Sequence, residues 1–359
     1  MQTITVVILA KDEGTRIQDC IQKLVRVCKH IVVYDTGSTD GTIKKIAQME
    51  CENVQLVKGY WDDSFANARN RALQYVKTDW AIFVDADEEF VSNKMQLEQE
   101  IVTLSKATKY DVFCPKLWLE DGSVVTNNTR IVRVRSRARF QGRVHEYVPT
   151  ESVISCDIQI RHKGYSAERK PLKEMRNLRL LRKQIIEDRQ NPRWLYFLVS
   201  NYESISPETR LLIIDHLLRG PLSDKKYEHY HSGCMNIALR LSFTLGDMSR
   251  LKSYLNWSMS TCPKNIDVVF YNYLTKFIEI KTKYHQLLGE LLSDLSGEVE
   301  NCEYYDNNFE SLNSITELKN IILFSQEKFD DIVEDSFSEK EHLTLLDIEK
   351  EKMKGVMCE

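Results

Sequence analysis

The sequence lacks the features that mark several large classes of protein. It contains nine cysteines among 359 residues but no C-x-x-C pair, so a structural zinc site is not predicted. The isolated cysteines are expected to be small, buried, reduced side chains. No stretch approaches about 18 consecutive apolar residues, and the run from Thr5 to Ala10 is too short for a signal peptide. A cytoplasmic protein without a membrane span is therefore predicted.

An excess of charge of one sign is also missing. The chain has 49 basic and 53 acidic residues, which gives a formal net charge of −4 at pH 7. Without a global positive field the chain is not predicted to hold a long nucleic acid. Apolar residues at 42% and charged residues at 28% are typical of soluble globular proteins, which excludes disorder or coiled coil as a description of the whole chain.

Several catalytic signatures are absent. The sequence has no Walker A motif, no G-x-G-x-x-G, no G-x-S-x-G and no H-E-x-x-H. Support is therefore lost for phosphate-loop ATPases, dinucleotide oxidoreductases, α/β-hydrolases and zincin proteases.

The N-terminal region alternates between apolar runs and segments with helical spacing. Buried strands are predicted at Thr3 to Leu9, His30 to Tyr34, Val54 to Val57 and Trp80 to Val84, with helices between them. This order is typical of βαβ units and predicts an α/β fold with a mostly parallel sheet. Ligands in such sheets bind at the carboxyl ends of the strands.

The rest of the chain changes character twice. Short strands between Val112 and about Ile160 predict an antiparallel extension of the sheet, and amphipathic helices follow from about Lys170. Prolines 192 and 263 are 71 residues apart, close to twice the roughly 34-residue tetratricopeptide period. Degenerate tetratricopeptide-like pairs and a generic helical domain both remain open. The predicted domains are 1–168, 169–335 and a charged tail, 336–359.

The acidic sequence Asp85-Ala86-Asp87 directly follows the fourth predicted strand. Two carboxylates at a strand end can bind a hard divalent cation, which can hold phosphate oxygens of a nucleotide. The structural alternative is a solvated acidic turn, since D-x-D occurs about once by chance in a chain of this length.

Other candidates lie at the ends of the first two strands. Asp35 precedes a Gly-Ser turn and could accept a hydrogen bond from a base such as uracil, or could simply close an Asx-turn. Asp12 and Glu13 follow the first strand, where a solvated loop is an equal alternative.

Basic and imidazole groups complete the candidate set. Arg69, on the third predicted helix, could pair with a diphosphate or with the acidic loop. His145 could complete a metal site with Asp87, and Glu146 could act as a base toward the incoming nucleophile. Arg130 lies in a basic strand that could face phosphates. Structural roles on a helix surface or strand edge remain alternatives for each.

The order of these motifs resembles glycosyltransferase family 2 over about residues 1 to 165. The segments that carry the resemblance are Ala10-Lys11-Asp12-Glu13, Val33 through Thr42, Phe65 through Asn70, Phe83 through Glu88, and Phe140 through Glu146. The resemblance implies a GT-A fold, a UDP-sugar donor, a divalent metal (Mg²⁺ or Mn²⁺) and inversion at the anomeric carbon.

The resemblance also implies roles for individual residues. Asp35 would contact the uracil, Asp85 the ribose or the metal, and Asp87 the metal, while Arg130 and His145 would lie beside the diphosphate. The predicted donor-binding set is Ala10, Asp12, Glu13, Asp35, Arg69, Asp85, Ala86 and Arg130; the predicted metal set is Asp85, Asp87 and His145. Glu146, His145 and Glu88 are the candidate catalytic residues, and none of them is identified as the base.

Within that family the sequence is most similar to sublancin-type S-glycosyltransferases that modify bacteriocin precursor peptides. The resemblance implies transfer of a hexose, glucose first among the candidates, to a cysteine or serine of a small peptide. One alternative acceptor is a cell-envelope glycan such as lipopolysaccharide or capsule. Another alternative is a non-catalytic nucleotide-binding protein with a helical-repeat interaction surface. A homodimer through the helical domain is a further expectation.

Overall fold

The computed structural model describes residues 3–107, 109–150, 154–162, 170–300 and 309–326. The chain divides into two compact units, residues 1–241 and residues 242–359. The predicted tail, 336–359, lies outside the described residues, and the predicted boundary near residue 168 also falls outside them.

The first part of the chain builds a parallel sheet, as predicted. Its apolar runs form strands because residues buried on both faces of a sheet are continuously apolar. The elements are β1 (Ile4–Ala10), α1 (Ile17–Leu24), β2 (Ile31–Asp35), α2 (Thr42–Ala47), β3 (Val54–Lys58), α3 (Phe65–Ala72) and β4 (Trp80–Phe83). The third helix is followed directly by a single 3₁₀ turn from Leu73 to Tyr75.

The second part of the sheet is mixed. It contains β5 (Glu88–Phe90), β6 (Val112–Trp118), β7 (Val124–Val125), β8 (Ile131–Arg133) and β9 (Ser155–His162), while α4 (Lys94–Lys106) lies between β5 and β6. The strand order is β3-β2-β1-β4-β8-β6-β9-β5, and β7 pairs with β6. The predicted antiparallel extension is correct for β8, which is antiparallel to both β4 and β6. It holds only in part for β9, which is antiparallel to β5 but pairs in parallel with β6.

Both faces of the sheet are covered by apolar side chains. Successive residues of a strand point to opposite faces, so Val6 and Ile8 pack on one side and Val7 on the other. The first side carries α1 and α4, through Ile21 and Leu97 among others, and the second carries the small residues of α3. The sheet is thereby held rigidly enough to fix the loops at its strand ends.

Helices follow the sheet in the order predicted. The first unit continues with α5 (Lys170–Glu187), α6 (Pro192–Asn201), α7 (Pro207–Arg219) and α8 (Glu228–Thr244), and the boundary between residues 241 and 242 falls within α8. The second unit contains α9 (Met248–Thr261), α10 (Ile266–Glu300) and α11 (Phe309–Ser325). None of the helices in the described residues carries an apolar stretch sufficient to span a bilayer.

The two proline-containing turns mark helix boundaries. Asn191 caps α6 by accepting a hydrogen bond from the backbone N–H of Arg193, and Pro192 occupies the first turn, where its missing N–H costs nothing. Pro263 lies between α9 and α10. At 35 residues, α10 is much longer than a helix of a 34-residue repeat with two helices.

Candidate functional site

A cavity of about 450 Å³ lies at the carboxyl ends of the parallel strands. This is the position at which open α/β sheets bind ligands. Its lining contains nine of the twelve residues predicted from the sequence. Those nine are Ala10, Glu13, Arg69, Asp85, Ala86, Asp87, Arg130, His145 and Glu146.

The acidic loop after β4 is tied to β8 by a buried ion pair. Arg130 donates from Nη1 and Nη2 to the two carboxylate oxygens of Glu88, at 2.9 Å each. Glu88 also accepts the backbone N–H of Asp85 at 2.8 Å. Burial raises the pKa of Glu88. The positive charge of Arg130 opposes this increase, and the negative charge of Asp85 adds to it. Glu88 does not line the cavity, so it positions Arg130 and the loop from beneath.

Arg69 and Arg130 converge on Asp85. The Nη2 atoms of the two arginines lie 3.5 Å and 3.2 Å from its carboxylate oxygens. Although burial alone would raise the pKa of Asp85, Arg130 and Arg69 hold it below its ordinary value. Asp85 is therefore ionised, although its burial alone would favour the neutral carboxylic acid.

Arg69 has a second carboxylate partner and two aromatic neighbours. Its Nε donates to Glu146 at 2.8 Å, and its guanidinium lies over the rings of Phe83 and Phe140 at 4.9 Å and 5.4 Å. Ser64 caps the helix that carries Arg69 by accepting the N–H of Asn67. The arginine thus links the acidic loop to Glu146, whose carboxylate also lines the cavity.

The outer wall of the cavity comes from α5, which sequence reasoning did not identify. Lys173 donates to Asp87 at 3.3 Å. Arg176, stacked over Phe65 at 5.0 Å, and Asn177 also line the cavity. No local pattern could have placed Lys173 here, because 86 residues separate it from Asp87.

His145 is held by α6 in a strained conformation. Its backbone φ is 52°, its ring stacks on Phe197 at 4.4 Å, and its Nε2 lies 3.1 Å from the Tyr202 hydroxyl. Burial, reinforced by Arg193, lowers the pKa of His145 to about 4, so the imidazole is neutral at neutral pH. Non-glycine residues at positive φ cost energy and cluster at functional sites.

Three contacts fix α5 and α6 against the strand-end loops. Gly142 has a φ of 96°, and a Cβ there would approach the Trp194 ring to 2.5 Å, so only glycine fits. Arg143 pairs with Glu187 at 2.7 Å. Asp63 pairs with Arg179 and Lys183 on α5, and those hydrogen bonds lower its pKa to about 2.

Two predicted donor-binding carboxylates accept hydrogen bonds from the loop that follows β2. Asp35 is buried and accepts the backbone N–H groups of Gly37 and Ser38 together with the Ser38 hydroxyl. Asp12, at φ 54°, accepts the N–H of Thr39. Neither lines the cavity, so their roles in binding a donor stay predictions. The arrangement of Asp35 is the Asx-turn that the sequence left open.

The acidic pair fits a cation that is shared with a phosphate. In the part of the chain that the structure describes, no group of three or more His, Cys, Asp or Glu side chains is arranged to hold a metal ion alone. Mg²⁺ is commonly held by one or two carboxylates together with substrate phosphates and water. Asp85 and Asp87 supply such oxygens, whereas Nε2 of His145 is directed at Tyr202.

The segment that builds the sheet and most of the cavity is similar to glycosyltransferases of the GT-A class. Residues 5–169 match the model of Glycosyl transferase family 2. This match, over slightly less than half of the chain, confirms the resemblance to that family carried by the motif order. The fold prediction, a GT-A α/β domain followed by helices, is also confirmed.

Known proteins resemble this chain over different lengths. The SPbeta prophage-derived glycosyltransferase SunS of Bacillus subtilis is 23% identical over 307 residues, covering 81% of this chain and 72% of SunS. A TPR repeat-containing protein of Synechococcus elongatus is 26% identical over 183 residues, covering 47% of this chain and 44% of that protein. The structure of S. aureus TarS 1-349 in complex with UDP-GlcNAc is 16% identical, with a TM-score of 0.38, covering 92% of this chain and 88% of that one.

Proposed function

We propose that the protein is a metal-dependent, inverting glycosyltransferase that moves a hexose from a UDP-sugar to a cysteine or serine side chain of a small precursor peptide. The observation that carries this proposal is the cavity at the strand ends of the family 2 domain. It brings the two carboxylates of the acidic loop together with arginine and lysine side chains from four separate segments.

The charges of the cavity suit a nucleotide diphosphate. Five cationic side chains line it, Lys11, Arg69, Arg130, Lys173 and Arg176, against four carboxylates, Glu13, Asp85, Asp87 and Glu146. A nucleotide-sugar carries a negative charge on each phosphate. The cationic side chains exceed the carboxylates by only one, so they do not neutralise the diphosphate by themselves. Lys173 is the side chain best placed to contact the phosphates, since it contacts Asp87 at the cavity side of the acidic loop, whereas Arg130 is tied to Glu88 beneath that loop.

A divalent cation, Mg²⁺ or Mn²⁺, would be held by Asp87 and Asp85. When bound it would supply positive charge to the departing diphosphate. The protein's own contribution is to hold both carboxylates ionised and oriented, which Arg130 and Arg69 do for Asp85. In the structure Lys173 donates a hydrogen bond to Asp87. We expect the lysine side chain to turn toward the diphosphate when the donor binds.

Glu146 is the best-placed candidate for the base among Glu146, His145 and Glu88. Its carboxylate faces the cavity, while Glu88 is covered by Arg130. Inverting transfer is an in-line displacement, so the base must receive the acceptor proton on the side opposite the leaving group. Neutral His145 next to it serves as a positioning residue, held by Tyr202 and Phe197. A thiol acceptor, with an ordinary pKa of about 8.5, needs only a weak base.

The identity of the acceptor is the most specific part of the proposal. The peptide rests on the similarity of the motif order to sublancin-type transferases, with a cell-envelope glycan as the competing acceptor. The tetratricopeptide-like helices are the proposed recruiting surface, and the cytoplasmic location stays a prediction.

The test is UDP release from a panel of UDP-sugars with Mg²⁺ or Mn²⁺, with a cysteine- and serine-containing peptide or a glycan as acceptor. Asp87→Asn removes one metal-facing charge and should abolish metal-dependent release without unfolding the protein. Asp121→Asn is the matched control, because Asp121 lies in an exposed turn outside the cavity.

Running the assay with each acceptor separates the alternative functions. Release that requires the peptide supports the proposal, and release that requires the glycan changes the acceptor. UDP binding without release under any condition favours the non-catalytic alternative. Full activity of Asp87→Asn, or full activity in EDTA, contradicts the metal assignment.

A further inference from the structure

The candidate base Glu146 belongs to a short loop that is closed on itself. Gln141 and Tyr147 pair across this Glu146 loop, residues 141–147, through two backbone hydrogen bonds of 2.8 Å and 3.1 Å. His145, inside the loop, has a φ of 52°. Because a side chain other than glycine is strained at positive φ, this conformation needs support from the surroundings of the loop.

Helix α6 supplies part of that support through Arg193. Nη2 of Arg193 donates to the backbone carbonyl of His145 at 3.1 Å. The guanidinium carbon of Arg193 lies 3.9 Å from the centroid of the Tyr147 ring. Arg193 therefore contacts both the residue before Glu146 and the residue after it. Because a peptide bond is planar, fixing the His145 carbonyl also fixes the plane from which the main chain of Glu146 starts.

Arg193 is itself held from several sides. Its guanidinium carbon lies 4.7 Å from the centroid of the Phe197 ring and 5.8 Å from that of the Trp194 ring. Its Nη1 donates to the hydroxyl of Tyr230 on α8. Contacts with aromatic faces stabilise a guanidinium in a fixed orientation. The arginine is therefore a rigid support for the loop and not a mobile surface side chain.

Stability alone does not explain an arginine at this position. Nε of Arg193 is buried and has no hydrogen-bond acceptor in the part of the chain that the structure describes. A buried N–H group without an acceptor destabilises a folded protein, and an apolar side chain of similar length would avoid that cost. Such local exceptions are expected at functional sites. The charged, forked side chain therefore indicates a role in the site in addition to packing.

The side chain of Glu146 is held at its other end by the site itself. Its carboxylate accepts a hydrogen bond from Nε of Arg69 at 2.8 Å, and its side chain is 14% exposed. The carboxylate is thus oriented by α3, while the main chain that carries it is oriented by α6. A general base must lie within hydrogen-bond reach of the acceptor, and a displacement of about 1 Å can lower the rate on the order of 100-fold.

We propose that Arg193 is a positioning residue for the transfer reaction, and that it holds the Glu146 loop so that the Glu146 carboxylate meets the acceptor. This inference rests on the proposed function, in which Glu146 receives the acceptor proton. Arg193 does not line the cavity, so it acts only through the loop. Its loss should therefore slow transfer without weakening the binding of the donor.

Steady-state kinetics of Arg193→Met test the consequence for the reaction. Methionine keeps the approximate length of the side chain and removes its charge and its donors. In the UDP-release assay with the acceptor present, kcat should fall about 100-fold, while KM for the UDP-sugar should change by no more than about twofold. Arg189→Met is the matched control, because Arg189 is exposed in the turn before α6, and both constants should equal those of the wild type.

Hydrogen exchange of the full-length protein tests the support of the loop without any turnover. The backbone amides of residues 142–147 should exchange about 10-fold faster in Arg193→Met, and those of Arg189→Met should match the wild type. Tyr230→Phe repeats both measurements in case Arg193→Met does not fold. It removes only the hydroxyl that Arg193 contacts and should lower kcat about fivefold. Tyr227→Phe is its control, because Tyr227 lies beside Tyr230, at 6.3 Å between ring centroids, and should behave as the wild type.

The two measurements together decide between a positioning role and a merely structural one. A lower kcat with an unchanged KM and faster exchange in the Glu146 loop supports the proposal. Unchanged exchange in that loop, an unchanged kcat, or a KM that rises as much as kcat falls overturns it. A wild type that releases no UDP with any acceptor contradicts the proposed function, and with it the reaction that Arg193 would serve. Hydrogen exchange then still shows whether Arg193 holds the loop.

Discussion

The acidic loop meets two different kinds of cation on its two sides. Beneath it, Arg130 and Glu88 share two hydrogen bonds of 2.9 Å, and their side chains are 8% and 2% exposed. On the cavity side, Lys173 and Asp87 share one contact of 3.3 Å, and the lysine is 25% exposed. The first pair is part of the scaffold, whereas the second lies at the surface that a ligand would contact.

This difference explains how one short loop can be both rigid and available. A buried bidentate pair is costly to break, because removing either partner leaves an uncompensated charge. The Lys173 contact is a single one of 3.3 Å on the cavity lining, so it is exchanged more easily than the bidentate pair even though the Asp87 side chain is only 7% exposed. The loop is therefore fixed at Asp85 and Glu88 while Asp87 can change partners.

The largest effect is expected from breaking the buried side. Arg130→Met leaves Glu88 buried without its partner and should lower the free energy of unfolding by about 3–5 kcal/mol. Chemical denaturation measures this directly. Arg135→Met is the control, since Arg135 is exposed near the end of the same strand and should change stability by no more than about 0.5 kcal/mol. Equal stability of the two variants would contradict a structural role for the Arg130 pair.

The free energy of unfolding is expected to depend on pH through His145, which α6 encloses. Because the folded pKa is about 4 and the ordinary value is 6.5, the unfolded chain takes up a proton that the folded chain does not. Stability from this group is complete above pH 6.5 and is lost as the pH falls toward 4, by up to about 3 kcal/mol.

His145→Asn should remove that part of the pH dependence, since asparagine tolerates positive φ and does not titrate. The free energy of unfolding of each protein, measured from pH 7 to pH 4.5, should therefore converge as the pH falls. His216→Asn, at an exposed histidine of α7, should leave a constant difference from the wild type. Parallel curves for His145→Asn would show that the imidazole is not held neutral.

The smallest effect is expected from the exchangeable side. Lys173→Met should weaken UDP binding about 10-fold, which corresponds to about 1.4 kcal/mol, and should leave uridine binding unchanged because uridine has no phosphate. Calorimetry measures both. Lys183→Met is the matched control, because Lys183 lies on the same helix and pairs with Asp63 outside the cavity. Equal loss of UDP and uridine affinity would place Lys173 elsewhere than at the phosphates.

The sequence predicted the two sides of the loop unequally well. The strands β1 to β4 and the position of Asp85 and Asp87 could be predicted, because strands buried on both faces are continuously apolar and their ends are marked by polar residues. Arg130 and Arg69 were also candidates, since charged residues next to apolar runs stand out locally.

The helical wall could not be predicted in the same way. Lys173 is one of many charged residues on an amphipathic helix, and only the packing of α5 on the strand-end loops brings it to Asp87. The parallel pairing of β9 with β6 likewise depends on a long-range contact that alternating strand residues do not encode. Arg193 donates to the carbonyl of His145, but in the sequence it is only the residue after the Asn191-Pro192 start of α6, which carries no local sign of the site.

The central claim is that the cavity-facing side of the acidic loop holds the diphosphate and its metal. A crystal structure with UDP and Mn²⁺, with the metal located by its anomalous scattering, tests this most directly. The account predicts one Mn²⁺ in contact with the Asp87 carboxylate, a diphosphate between it and Lys173, and an Arg130–Glu88 pair that does not move. Mn²⁺ bound away from Asp87, or UDP bound outside this cavity, would contradict it.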